Sequence, residues 1–312
     1  MRARRQLKLS VVDLSLRNDA NRFHALEKTQ MKKTWYLTAP FLFATTAYIS
    51  GQTVLPVSAA NAQGPAGPNV VDVVTSEYQF VMPDSLPAGP TLFHLTNNGD
   101  QLHHVTLVRL DQGKTLADFT ALPPGPPPVW AVFMGGPNTP MPKGGEDEDI
   151  VDLSPGNYAV ICVIPDGNGK LHMMKGMVKA LTVTESTQVR TMPTRDLTLT
   201  LNDYAFAFST PPTAGQHAIR VINNGKQIHE AVIFHLQAGK TGEDIAHWVM
   251  SGMQGPPPGN PVAGISPETP GKENTLVLKL TAGDYALLCF MPDSRDGKPH
   301  VAHGMVYNFS VT

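Results

Sequence analysis

Two signatures recur in this chain, in the same order and about 126 residues apart, so any fold proposed for one half must also serve the other. Residues 151–184 read VDLSPGNYAVICVIPDGNGKLHMMKGMVKALTVT, and residues 278–312 read LKLTAGDYALLCFMPDSRDGKPHVAHGMVYNFSVT. They share Gly-x-Tyr-Ala-x-x-Cys, Pro-Asp, Gly-Lys and His-x-x-x-Gly-Met-Val. Upstream, TNNGDQLHHVTLVRL (96–110) matches INNGKQIHEAVIFHL (222–236). The offset is 126 at the first histidine pair and 127 at the cysteines. Each repeat therefore spans about 115 residues, placing one domain over 70–185 and a second over 195–312. A polar connector (186–194) joins them, and a short linker (63–69) precedes the first.

Within each repeat the apolar stretches are short and rich in β-branched and aromatic residues: VVDVV, YQFVM, TLFHLT, VTLVRL, YAVICVI and VKALTVT. Several alternate apolar with polar residues, as half-buried strands do. Twenty-eight prolines and 27 glycines supply turns and loops, which suits an all-β chain. The expectation is an all-β fold of two tandem Greek-key β-sandwiches, each with around eight strands. One short helical insertion interrupts each repeat. Thr115 to Asp118 and Thr241 to Asp244 have the Thr-x-x-acid form of a capping box. Leu116, Phe119 and Leu122 follow helical spacing, as do Ile245, Trp248 and Val249, and the proline clusters at 123–128 and 255–259 end both helices. The acidic run Glu146–Asp149 reads most simply as a solvated loop.

Charge is distributed unevenly. Residues 1–62 hold nine of the 24 Lys/Arg and three of the 26 Asp/Glu, so residues 63–312 carry 15 against 23, a net charge of -8. An acidic body disfavours nucleic acid and anionic membrane as partners. From Met31 the chain runs Met31-Lys32-Lys33, then mostly apolar residues from Trp35 to about Ser50, then Ala60-Asn61-Ala62. These are the basic region, apolar region and small-residue cleavage site of a secretory signal, over 31–62 with cleavage near Ala62. The apolar run is short and broken by Pro40, so no membrane span is expected after cleavage. Residues 1–30 have no role in this scheme, and Met31 is a candidate start. The expected location is periplasmic or secreted. A retained membrane anchor is the alternative.

The chain has two cysteines, Cys162 and Cys289. In an oxidising compartment a disulfide is the ordinary expectation, but these two occupy the same position in two repeats. Each stands with two histidines and a methionine: His103, Cys162, His172 and Met177 in the first repeat, His229, Cys289, His300 and Met305 in the second. Two imidazoles, a thiolate and a weak thioether suit a blue-copper electron-transfer site. Taken singly each residue has a plainer reading: the histidines as turn residues, the cysteines as small buried hydrophobes, the methionines as core. His104 and His303 have no histidine counterpart, Glu230 and Lys175 standing there instead, and read as surface or supporting residues. His303 could compete with His300. His94, His217, His235 and His247 read as ordinary surface or strand histidines. Met173, Met174 and Met291 near the loops read as loop packing.

These motifs resemble the plastocyanin–azurin cupredoxins. Asn97-Asn98-Gly99-Asp100-Gln101-Leu102-His103 is similar to the segment that delivers that family's first histidine, and Gly156-x-Tyr158-x-x-x-Cys162 to the strand ending in its cysteine. His172-x-x-x-x-Met177-Val178 is similar to its final histidine and methionine. Asn223, Asn224, His229, Gly283, Tyr285, Cys289, His300 and Met305 repeat the pattern. The resemblance implies an eight-stranded sandwich with one copper ion per domain and a role in one-electron transfer with a redox partner protein. The interval between cysteine and second histidine departs from the family's very short loop, with nine residues in repeat 1 and ten in repeat 2. Its Pro/Asp/Gly-rich centre predicts a projecting hairpin. Folding the first about Gly167 sets Cys162 opposite His172, with Cα atoms roughly 4.5–5.5 Å apart.

Three other functions are consistent with the same residues: a copper-free cupredoxin-like binding or structural module, copper storage or delivery, and a multicopper enzyme. The enzyme needs a second histidine-rich site. The chain has no His-x-His pair, and aliphatic or aromatic residues flank both cysteines, so an oxidase or nitrite reductase is not expected. Gly-x-Ser-x-Gly, a phosphate-binding loop and paired-cysteine zinc signatures are absent from the sequence.

Overall fold

A computed structural model describes residues 66–312 apart from 124 and 139. The secretory signal expected at 31–62 lies outside these residues, as does the segment 1–30. Repeat 1 comprises β1 (Asn69–Ser76), β2 (Gln79–Val81), β3 (Ser85–Pro87), β4 (Gly89–Asn97), β5 (Thr106–Leu110), α1 (Leu116–Thr120), β6 (Ala131–Phe133), β7 (Gly145–Leu153), β8 (Gly156–Ile161), a 3-10 turn (His172–Lys175) and β9 (Val178–Thr184). Repeat 2 comprises β10 (Leu197–Asn202), β11 (Ala205–Phe208), β12 (Gly215–Asn223), β13 (His229–Leu236), α2 (Gly242–Met250), β14 (Gly259–Glu268), β15 (Glu273–Leu280), β16 (Gly283–Leu288), a 3-10 turn (His300–His303) and β17 (Val306–Val311). The protein is all-β, with strands rich in Val, Ile, Leu and Phe that alternate buried and exposed residues, as in β1 and β10.

Each repeat is a sandwich. In repeat 1 the run β7-β4-β1-β2 faces the sheet β3-β9-β8-β5-β6, enclosing Val73, Phe93, Leu95, Leu107, Tyr158, Cys162 and Met177. In repeat 2 the run β11-β10-β12-β15 faces β14-β13-β16-β17 around Leu199, Ile219, Ile233, Leu287, Cys289 and Met305. Tyr158 and Tyr285 anchor the corner before the cysteine strand, each hydroxyl donating to the carbonyl four residues earlier, at Ser154 (2.9 Å) and Thr281 (3.0 Å). Both helices begin with the expected capping boxes and lay Phe119, or Ile245 and Ala246, over the outer face of the second sheet. A capping side chain of this kind contributes about 1 kcal/mol.

The repeats are joined through their sheets. β15 pairs antiparallel with β7, so the two first sheets merge into one of eight strands. In that ladder Asp149 lies opposite Leu276, its own counterpart at the cysteine offset of 127. A second antiparallel bridge sets Pro137 opposite Ile265, and a third sets Met134 opposite Glu268. Equivalent elements therefore meet each other, the pattern of an isologous interface written within one chain. The stretches read as linkers also pair, Ala66 bridging to Arg190.

This junction corrects the reading of the acidic run. Glu146–Asp149 is part of β7, not a solvated loop, and Asp147 and Asp149 are buried. Asp147 accepts the backbone N–H of Asn138 (2.8 Å) and of Gly264 (3.2 Å), one from each repeat. Among the described residues neither Asp149 side-chain oxygen has a hydrogen-bond partner. Burial pushes both carboxyls well above the usual range. A charge run looks solvated in sequence because the strand that covers it lies more than 120 residues away.

Candidate metal centres

At one end of each sandwich three donor atoms converge. One imidazole nitrogen each from His103 and His172 and the Sγ of Cys162 lie within 4.8 Å of one another, and so do the corresponding atoms of His229, Cys289 and His300. All six residues are buried. In repeat 1 the two Nδ1 atoms are 3.1 Å apart and His172 Nδ1 is 3.5 Å from Cys162 Sγ. In repeat 2 Cys289 Sγ is 3.4 Å from His300 Nδ1 and 3.8 Å from His229 Nδ1. Met177 and Met305 are fully buried in the same apolar clusters as their cysteines. The Met177 carbonyl accepts the Cys162 N–H (3.3 Å), which holds that methionine beside the cysteine strand.

Local sequence explains each placement. Asn97 and Asn223 pin the loop before the first histidine. Each Oδ1 accepts the N–H of the following glycine, Gly99 or Gly225, at 3.0 and 2.9 Å, and each Nδ2 donates to a carbonyl four residues on, at Gln101 and Gln227. The glycine is needed because the imidazole closes over it. A Cβ on Gly99 would sit 2.9 Å from His103 Nε2, and one on Gly225 would sit 2.6 Å from His229 Nε2. After the second histidine, Gly176 and Gly304 end the 3-10 turn in the left-handed region (φ 100° and 89°), which returns the chain to Met177 and Met305.

The long Cys–His loops do form hairpins, with bridges Pro165–Leu171 and Pro292–Pro299. The register differs from that expected. The first hairpin folds about Asn168 rather than Gly167, and His172 N–H donates to the Ile164 carbonyl (2.9 Å). Cys162 is thus not opposite His172 in the ladder. Its carbonyl instead accepts the Met173 N–H (2.8 Å), and the 3-10 turn swings the imidazole back to the thiol.

Burial governs the protonation of these groups. It lowers all four imidazoles, His103 and His300 to about 4, so each is neutral at pH 7 with a lone pair available. The same burial pushes the Cys162 thiol up to about 12 and Cys289 higher still. A cation entering either site displaces one thiol proton and meets two neutral nitrogens. In repeat 2, His229 Nε2 donates to Asp203 (2.9 Å), which assigns the lone pair to Nδ1, the nitrogen facing the thiol. The donor set and its orientation fit a soft or borderline ion such as copper.

Supporting residues escaped the reading of the sequence. Glu77-Tyr78 and Asp203-Tyr204 occupy the same turn, and both tyrosines are non-glycine residues with positive φ, 61° and 63°. Tyr78 packs edge-on against His172 and Tyr204 against His300, centroids 5.2 and 5.6 Å apart. Gln101 and Gln227 donate to the tyrosine hydroxyls. The signal was an acid–Tyr–x–Phe match at 77–80 and 203–206, at the offset of the first histidines. His303 faces Asp296 (3.2 Å), outside the His229–Cys289–His300 cluster. Met174 is exposed, while Met173 and Met291 are partly buried. His104 is buried at the junction, not on the surface.

Sheets and sites together define a protein of two β-sandwiches, each holding a His–Cys–His cluster at one end. Among solved structures, the chain is similar to a dithionite-reduced auracyanin from the photosynthetic bacterium Roseiflexus castenholzii, with 18% identity, 38% of this chain and 99% of that one covered, and a TM-score of 0.27. It is also similar to a copper nitrite reductase from Nitrosomonas europaea (12% identity, 80% and 94% covered, TM-score 0.23). A multicopper oxidase has 12% identity, 78% and 88% covered, and a TM-score of 0.22. No protein-family model and no curated protein matches the chain.

Proposed function

We propose that this chain is an exported copper protein that carries single electrons through one mononuclear thiolate–copper centre in each repeat. The ligands are His103, Cys162, His172 and Met177 in the first, and His229, Cys289, His300 and Met305 in the second. The observation that carries the reading is the doubled convergence of two imidazole nitrogens and one Sγ within 4.8 Å, in fully buried positions. Bound copper would supply a one-electron couple. The protein holds the donors rigidly between a β-strand, a hairpin and a packed core, so little rearrangement accompanies a change of oxidation state. Tyr78 and Tyr204 cover the second histidines and limit water. A carrier is favoured over an oxidase because the sequence has neither a His-x-His pair nor histidines beside the cysteines. Export rests on the Met31–Ala62 segment. Among the described residues, no helix is long and apolar enough to cross a membrane.

The test is a visible and electron-paramagnetic-resonance spectrum of the chain loaded with Cu(II), beside Cys162→Ser and Cys289→Ser. The expected result is an intense thiolate-to-copper band that each substitution reduces by about half, as for two equivalent thiolate centres. Failure to take up stoichiometric copper in either oxidation state would refute the reading.

A further inference from the structure

The junction between the repeats contains a buried polar chain that neither centre uses as a ligand. His104 and Glu230 each follow the first histidine of their repeat, and the two differ in type. Both are buried, and Asn138 between them is fully buried. The donors assign every atom. The N–H of Val163 donates to His104 Nε2 (2.8 Å), so the ring carries its proton on Nδ1 and donates to Asn138 Oδ1 (3.2 Å). Asn138 Nδ2 then donates to Glu230 Oε2 (3.2 Å) and to the Ile265 carbonyl (3.1 Å). Glu230 Oε1 accepts the N–H of Phe290 (3.0 Å).

Val163 and Phe290 are the residues directly after Cys162 and Cys289. Four hydrogen bonds therefore run without a break from one cysteine strand, across the interface, to the other. At the far end the Glu230 N–H also points at Cys289 Sγ (3.5 Å). Asn138 is held in place by Asp147, which ties its backbone N–H to that of Gly264 in the other repeat. A fully satisfied network of this kind in a low-dielectric interior is stiff and polarises along its length.

We propose that His104, Asn138 and Glu230 form a bridge that couples the two metal centres and gives an electron an intramolecular path between them. The inference rests on the copper reading above. With copper bound, one centre would lose an electron and the other would gain it, with no bond made or broken. The asymmetry of the histidines sets the direction. The carboxylate of Asp203 on His229 strengthens that imidazole as a ligand and favours the higher oxidation state in repeat 2. Electrons would therefore settle in repeat 1.

The experiment uses the full chain, its copper content measured first, oxidised at both centres and then given less than one equivalent of electrons by rapid mixing with dithionite. Freeze-quenched paramagnetic spectra follow the redistribution, with Cys162→Ser and Cys289→Ser supplying the reference spectrum of each centre. The expected result is movement from repeat 2 to repeat 1 at a rate independent of protein concentration, slowed roughly tenfold or more by Asn138→Leu. The potentials of both centres should shift in that variant, although Asn138 ligates neither. If Asn138→Leu does not fold, Glu230→Gln serves: its amide N–H₂ turned toward Asn138 would oppose a donor with a donor. Redistribution that scales with protein concentration, or that is unchanged in the variants, overturns the bridge and leaves the copper reading intact. Absence of copper from either centre overturns both.

Discussion

Repeat 1 and repeat 2 bring the same His, Cys and His donors from the same three places but support the first histidine differently. In repeat 2, Asp203 accepts a hydrogen bond from His229 Nε2 at 2.9 Å while its own oxygen is held by the amides of Lys226 and Gln227. In repeat 1 the matching residue is one methylene longer. Glu77 is held by the amides of Asp100 and Gln101, but its oxygen stops 3.9 Å from His103 Nε2, beyond hydrogen-bond reach. Around the covering tyrosine the shared aspartate (Asp166 or Asp293) is kept, but the cation that joins it comes from a different place, Lys175 after the second histidine in repeat 1 and Arg295 in the hairpin loop in repeat 2. Duplication has thus kept the inner set and let the outer one drift, and the outer set tunes ligand strength.

The sharpest way to break this comparison is Asp203→Ala. Copper affinity of repeat 2 should fall roughly 10–100-fold and its potential should rise, whereas Glu77→Ala should change repeat 1 by much less. Competition with a copper chelator and a redox titration, each in a single-centre background, measure both. Equal effects in the two repeats would mean that the 3.9 Å gap does not matter.

Next in size is the glycine under each imidazole. Gly225→Ala and Gly99→Ala should each destabilise by about 1–2 kcal/mol through overpacking, with the spectrum altered only in the substituted repeat. The new Cβ of Gly225→Ala meets His229 Nε2 and Asp203 Oδ1, both at 2.6 Å, so the loss should be greater in repeat 2. Thermal melts of the copper-free chain separate stability from metal binding.

The smallest effect sharpens the comparison at the junction, where repeat 1 places Asp149 and repeat 2 places Leu276 opposite it. Burial raises the Asp149 carboxyl, so the folded state keeps a proton that the unfolded state releases above about pH 4. Stability from this group is therefore greatest below that pH and falls as pH rises toward the folded value. Asp149→Asn should raise stability by about 1 kcal/mol at pH 8, with the gain vanishing near pH 4. Denaturant melts at the two pH values read the difference.

Much of this was legible in the residues. The offset repeats, the β-branched strands, the capping boxes at Thr115 and Thr241 and the set of two histidines and one cysteine are all local patterns, fixed by chain periodicity and side-chain chemistry. So was the existence of a hairpin between Cys162 and His172, because Pro, Asp and Gly in that order turn the chain. Its register was not, since one residue of shift about Asn168 depends on the 3-10 turn that follows. The acid–tyrosine pairs at 77–78 and 203–204 were visible as a repeat but had no meaning until the β1–β2 and β10–β11 turns were seen to lie over the histidines.

The sequence by itself determined a repeated all-β chain with two matching sets of His and Cys donors, because strand propensity, turn chemistry and donor type are properties of short segments. Only the tertiary structure decided that the two halves share a sheet, that Asp147 and Asp149 are interior, and that His104, Asn138 and Glu230 touch. Those contacts join residues up to 129 positions apart, and side chains at such separation meet only when packing closes the loop between them.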